Sequence, residues 1–322
     1  MSNGKIQLVT GNDVPIVNFD FDQVIGQSAA LAKLKFFLST HDAETPVPTM
    51  LFTGSHGLGK TYVAKKMATC MGRRFIEENC GIINTEKDFI EGILLDRLLG
   101  DTPCTLFLDE SHKLSSEITT VLLSLLNPSS QMKNEINYKG WNVVFDMSKI
   151  NVIFATTDAY KMFNPLVNRC ERIYFDSYNK DELLDMMGMY CPNVKLNCNA
   201  QDLTDACRGR GRDTFQLAQK VNRYLKGNNS KVLDSAGWDQ LKSIFEINPM
   251  GLNRQEFELL KIVNDHGSIS VSNIALSMMI NPENVESELE VRPRELGLLQ
   301  STSRGRSLTE KGIEYINSFL IE

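Results

Sequence analysis

The sequence predicts an α/β domain built on a mostly parallel sheet with helices on both faces. A small all-helical domain follows, then a third domain of three helices and a short hairpin. Three observations predict this. In the first half, apolar runs of four or five residues alternate with helical spacing, so the strands need crossover helices between them. Strand-like runs stop after Tyr178. From Gly251, three amphipathic segments precede two short β-like runs around Gly305. The expected boundaries are 1–177, 178–249 and 250–322.

Residues 49–53 read as a buried strand, fenced by Pro46 and Pro48. A helix should follow, with Val63, Met67 and Met71 on one face and Gly72 at its end. Residues 74–77, 105–108, 151–155 and 172–175 read as four further strands, the second of them introduced by Pro103. Residues 180–189 and 214–225 have helical spacing, and 227–230 read as a turn. In the last domain, 253–265 should be a helix with Phe257, Leu260 and Val263 inward. Residues 271–279 and 282–296 should form two more helices, the latter kinked by Pro293. With runs at 298–302 and 307–309, this is the outline of a winged helix-turn-helix.

The chain has 322 residues, 42% of them hydrophobic and 23% charged, which is enough to build packed cores and argues against disorder. The net charge of −6 excludes a protein that coats nucleic acid by bulk charge, while leaving room for a local basic site. Seven scattered cysteines, none spaced CxxC, argue against a disulfide framework or a zinc site and for a reducing compartment. Met1–Asp20 has no charged-then-apolar leader pattern, and no apolar run reaches the length of a membrane span. The expectation is a cytoplasmic protein.

Gly54-Ser55-His56-Gly57-Leu58-Gly59-Lys60-Thr61 fits G-x-x-x-x-G-K-[ST] between a predicted strand and a predicted helix. The glycines let successive N–H groups converge on phosphate oxygens, and the following helix adds its positive end. In such a loop Lys60 reaches the β- and γ-phosphates of ATP and Thr61 holds Mg²⁺; Tyr62 follows on the same helix. The run 106–108 ends in Asp109 and Glu110, which a strand would deliver to the carboxyl edge of the sheet. Asp109 is then a Mg²⁺ ligand, and Glu110 orients the attacking water.

These residues and others around them resemble the RuvB family, the AAA+ motors of Holliday-junction branch migration. Val24-Ile25-Gly26-Gln27 is similar to that family's segment near the adenine. Phe107–Leu114 resembles its acidic motif, in which a histidine (His112 here) follows the carboxylate pair after one residue. Ala155-Thr156-Thr157 resembles sensor 1, with Thr157 as the sensing residue. Residues 164–169 resemble the arginine-finger segment, which implies that Arg169 acts in a neighbouring subunit's ATP site. Residues 208–212 resemble sensor 2, with Arg212 sensing the γ-phosphate in cis. Residues 297–306 resemble the wing of the family's C-terminal winged helix.

The resemblance runs from about Phe21 to Tyr315 and implies an ATP-driven homo-oligomeric ring, a hexamer, acting on four-way junction or duplex DNA with a RuvA-like partner. There are departures. Ser55-His56 stands where the family usually has two prolines, Asp158 where it has a basic residue, and Val167 where it has a first arginine. His112 either couples the ATP site to a subunit boundary or supports the local structure. His56 either contacts nucleotide or points to solvent.

Residues 251–322 hold seven basic and eleven acidic side chains, so this domain alone should bind DNA poorly by charge. Arg304 and Arg306, on the hairpin, are the candidate phosphate contacts; a solubilising turn, or a protein-docking winged helix, is the alternative. Residues 136–145 read as a second hairpin with Lys139-Gly140 at its turn. Tyr138 and Trp141 beside that turn are candidate anchors for the partner, unless they pack under the core. Two rival functions remain from sequence: a clamp-loader ATPase subunit, since Asn168-Arg169-Cys170 resembles that class's Ser-Arg-Cys, and a winged-helix replication initiator.

Overall fold

Five parallel strands carry the first unit. They are β1 (Met50–Thr53), β2 (Arg74–Asn79), β3 (Cys104–Asp109), β6 (Ile150–Thr156) and β7 (Glu171–Tyr174), side by side in the order β2-β3-β6-β1-β7. β1 and β6 are buried along their whole length, as befits central strands covered on both faces. The computed structural model describes residues 21, 23–41, 46–128 and 132–320, and the N-terminal residues 1–20 discussed above lie outside them.

Helix Ser28–Ser39 precedes the sheet, and helices Lys60–Cys70 and Ser116–Leu125 lie in its crossovers. A further helix begins at Glu86–Phe89 and continues with a wide turn over Ile90–Leu98. β4 (Lys133–Tyr138) and β5 (Trp141–Asp146) form the second hairpin, with Tyr138 opposite Trp141 across the Lys139-Gly140 turn. All five sheet strands predicted in this half exist, each within two residues of its expected ends, and the hairpin begins three residues earlier than expected, at Lys133.

The chain divides after Tyr178 into two compact units. The second opens with helices Lys180–Tyr190, Ala200–Ala206, Gly211–Gly227 and Ser235–Ile244. It also contains a parallel ladder of three residues per strand, β8 (Lys195–Asn197) with β9 (Val232–Asp234), which helical spacing did not reveal. Helices Arg254–His266 and Val271–Met278 follow, then β10 (Leu299–Thr302) and β11 (Gly305–Leu308), and a closing helix Glu310–Leu320. The expected helix over 282–296 is broken into Pro282–Asn284, a wide turn Val285–Leu289 and Val291–Glu295. The break lies about one turn before Pro293, where its ring would meet the preceding carbonyls.

The helical and winged segments both lie in the second compact unit. Gly251 has φ +71, and a Cβ there would lie 2.0 Å from the Asp205 carbonyl, so only glycine permits this approach. Arg208 pairs with Glu256 through both terminal guanidinium nitrogens, Nη1 at 3.1 Å. Among the described residues, no helix is long and apolar enough to cross a membrane.

Candidate functional site

The strand order sets the site. β6 lies between β1 and β3, so the ends of these three strands deliver the phosphate loop, the residues after Thr156 and the acidic pair to one edge. Gly54, Gly57 and Gly59 have φ of +149, +77 and +91, which side-chain-bearing residues adopt only under strain. At Gly54 a Cβ would also meet the Phe175 carbonyl at 2.4 Å. Lys60 begins helix Lys60–Cys70 and is buried, its Nζ donating to the Gly54 and Ser55 carbonyls at 2.6 and 2.9 Å. The lysine therefore lies inside the loop. Thr61 is half-buried on the next position, and Tyr62 is exposed.

Leu58 is buried, and its carbonyl accepts from Tyr178 Oη at 2.9 Å, which leaves its backbone N–H as what it can offer a ligand. Val24 and Ile25 are half-buried beside Gln27. Gln27 donates to the Asp176 carbonyl at 2.7 Å and accepts from the Asp176 N–H at 3.0 Å. Gln27 and Tyr178 thus brace the loop from the first unit's two ends. Gln27 closes the segment 24–27 and Tyr178 marks the last strand-like run, but only the fold brings both to the Leu58 carbonyl, Gln27 Nε2 at 3.4 Å and Tyr178 Oη at 2.9 Å.

Asp109 ends β3 and accepts from the Glu110 N–H at 3.0 Å. Glu110 itself has φ +55, a strained backbone for a glutamate. Ser111 Oγ donates to the Ala155 carbonyl at 2.7 Å, fastening the acidic motif to β6. His112 Nδ1 lies 2.9 Å from Thr156 Oγ1, and its Nε2 lies 3.6 Å from Glu110 and 3.8 Å from Asp158. Two facing carboxylates favour the proton on Nε2, with Thr156 donating to Nδ1. Burial holds the His112 ring below its ordinary pKa, against the pull of Glu110 and Asp158. Thr157, the expected sensing residue, is half-buried immediately after β6, while Thr156 carries the hydrogen bonds. Burial, helped by Asp109 and Glu110, pushes the nearby Cys80 thiol up to about 12, so it supplies no thiolate.

Arg169 is half-buried and donates to the Leu123 carbonyl near the end of helix Ser116–Leu125. In the second unit, Arg208 and Arg210 are engaged by Glu256 and Glu295, whereas Arg212 is exposed in the first turn of its helix. The expectation that both wing arginines stand on an open turn is corrected for Arg306. Arg304 is exposed, but Arg306 turns inward to Glu290, at 2.5 Å, and to Glu286, at 2.9 Å. The reason is the acidic third helix, which places Glu290 in the core behind the wing. The hairpin aromatics divide in the same way. Trp141 is 76% exposed, while Tyr138 packs on the core and donates to Glu91 at 2.9 Å.

A phosphate loop after β1, a carboxylate pair after β3 and a polar strand end between them constitute the nucleotide-binding core of an AAA+ ATPase. Residues 50–178 match the ATPase family associated with various cellular activities, and residues 249–317 match the RuvB C-terminal winged helix domain. The Holliday junction branch migration complex subunit RuvB of Ehrlichia ruminantium is 25% identical over 305 residues, covering 92% of this chain and 90% of that protein. Its counterpart from Neorickettsia sennetsu is 24% identical, covering 96% and 95%. The solved Thermotoga maritima RuvB branch migration motor superposes with a TM-score of 0.78 at 21% identity, covering 94% of this chain and 98% of that one. The chain belongs to the RuvB-type AAA+ ATPases.

Proposed function

We propose that this chain is the ATP-driven motor of Holliday-junction branch migration, working as a homo-oligomeric ring. The observation that carries this is the joining, in one chain, of an AAA ATPase domain and a RuvB-type winged helix, in register with RuvB relatives over at least nine-tenths of its length. The winged-helix ending also speaks against a clamp loader, whose end is an all-helical collar.

In this reading Lys60 and the backbone N–H groups of Gly54, Gly57, Leu58 and Gly59 hold the ATP phosphates. Val24, Ile25 and Tyr62 flank the base. The Thr61 hydroxyl and Asp109 carboxylate, both hard oxygen donors at the sheet edge, would hold Mg²⁺, which neutralises charge on the β- and γ-oxygens when bound. Glu110 orients the attacking water, Thr157 senses the γ-phosphate, Arg212 contacts it in cis and Arg169 completes a neighbour's site. Because each site then draws on two chains, hydrolysis moves one subunit against the next, and a six-membered ring in the cytoplasm suits this chemistry. Arg304 leads the contact with DNA phosphates, with Arg306 available only if its acidic partners release it. Trp141, with Tyr138 beneath it, docks a RuvA-like junction-binding protein.

The test is ATPase activity with and without four-way junction DNA, alongside native mass and conversion of a labelled junction to duplex arms. Junction-stimulated hydrolysis by a ring that converts the junction is expected. A monomer indifferent to junctions would overturn the proposal. Protection of one DNA sequence irrespective of junction structure would replace it with an initiator.

A further inference from the structure

Glu110 is held from two sides. Its Oε1 lies 3.6 Å from His56 Nδ1, and its Oε2 lies 3.6 Å from His112 Nε2 and 3.9 Å from Lys113 Nζ. The glutamate side chain is 14% exposed and that of His56 61%. His112 is in turn fixed by Thr156 and faces Asp158. His56 is the third residue of the phosphate loop, so a carboxylate drawn toward it faces the place where the loop would cradle phosphate.

We propose that His56 is a positioning residue for Glu110: its Nδ1 steadies the carboxylate over the phosphate loop, where Glu110 orients water for attack on the γ-phosphate. The inference rests on the assignment of ATP hydrolysis to Glu110. At 3.6 Å the contact is longer than a hydrogen bond, and such contacts tighten when the substrate is bound. In the tautomer with its hydrogen on Nδ1, the ring donates toward Oε1 and takes no part in proton transfer. What it contributes is orientation: a glutamate on a short loop has several rotamers, and fixing one in advance removes that entropic cost from the transition state. His112 Nε2 lies at the same 3.6 Å from the opposite oxygen, so each carboxylate oxygen faces one ring.

The full-length chain is compared with His56→Ala, His56→Asn and Glu110→Gln by steady-state ATPase and by binding of a non-hydrolysable ATP analogue. His56→Ala should lower kcat roughly tenfold, about 1.4 kcal/mol of barrier, with KM and analogue affinity unchanged. His56→Asn should recover most of the rate, because the asparagine amide nitrogen lies as many bonds from Cα as His56 Nδ1. A His56→Ala enzyme with wild-type or higher kcat would overturn the proposal. So would a loss of rate matched by weaker analogue binding, or no recovery with asparagine. Glu110→Gln separates the two levels. If it hydrolyses ATP at the wild-type rate, the assignment of Glu110 fails first; if it is inactive while His56→Ala is unaffected, only the role of His56 fails.

Discussion

Arg208 grips Glu256 with both of its terminal nitrogens, and the glutamate is 1% exposed. Glu256 also accepts from the Asn253 N–H at 2.8 Å, closing the cap of helix Arg254–His266. One carboxylate thus starts the first helix of the winged segment and fastens it to the run 208–212. This pair is one of the contacts that join the two segments, with Arg210–Glu295 and the close approach of Gly251 to Asp205, and Arg212 lies four residues after Arg208.

Removing one partner of such a pair leaves a buried charge without compensation. Glu256→Ala should destabilise the second unit by about 3 to 5 kcal/mol. Arg208→Met combined with Glu256→Leu should cost much less than the two single changes together, since no charge then remains to be buried. Urea unfolding of the wild type, Glu256→Ala, the single changes Arg208→Met and Glu256→Leu, and the double change measures this. Additive losses would mean that the pair contributes through packing alone.

Arg169 rests on the Leu123 carbonyl of its own chain, so service in a neighbour's site requires its side chain to swing out. Arg169→Ala should bind ATP normally but hydrolyse it at least tenfold more slowly, on the order of the effect of arginine fingers or below it. Mixing it with Lys60→Ala should restore some turnover, because one intact site can form between the two chains. Mixed rings, confirmed by native mass, that show no recovery would rule out a shared site.

The two hairpin aromatics should separate by assay. Trp141→Ala should leave melting temperature and basal ATPase unchanged and weaken binding to a junction-binding partner by about 2 kcal/mol, as for an exposed anchor. Tyr138→Ala should lower the melting temperature, because its ring packs on the core and its hydroxyl bonds Glu91. A stability loss for Trp141→Ala equal to that for Tyr138→Ala would remove the distinction.

The wing arginines should separate likewise. Arg304→Ala should flatten the slope of log affinity against log salt on duplex DNA by about 0.9, the share of one phosphate contact. Sequence preference should not change, because phosphates carry no base information. Arg306→Ala should chiefly reduce stability, by about 1 to 3 kcal/mol, since it leaves the buried Glu290 with fewer partners. Equal flattening by both substitutions would show that DNA draws Arg306 away from Glu290.

What the sequence determined by itself is whatever depends on local order along the chain. The edges of β1 and β3 were legible because both are short apolar runs with a proline just ahead of them, and the phosphate loop because its glycines and Lys60 fall within one short stretch. The break before Pro293 was legible because a proline acts on its own turn. Tertiary structure alone decided which charged groups remain available. Arg304 and Arg306 are two residues apart, yet one is exposed and the other faces Glu290, sixteen residues away in sequence. Tyr138 and Trp141 frame the same turn, yet only Tyr138 lies over Glu91. His56 and Glu110 are fifty-four residues apart and meet only because β1 and β3 end at the same edge of one sheet. Pairing of charges depends on distance through space, and one sequence carries that information only through the fold it adopts.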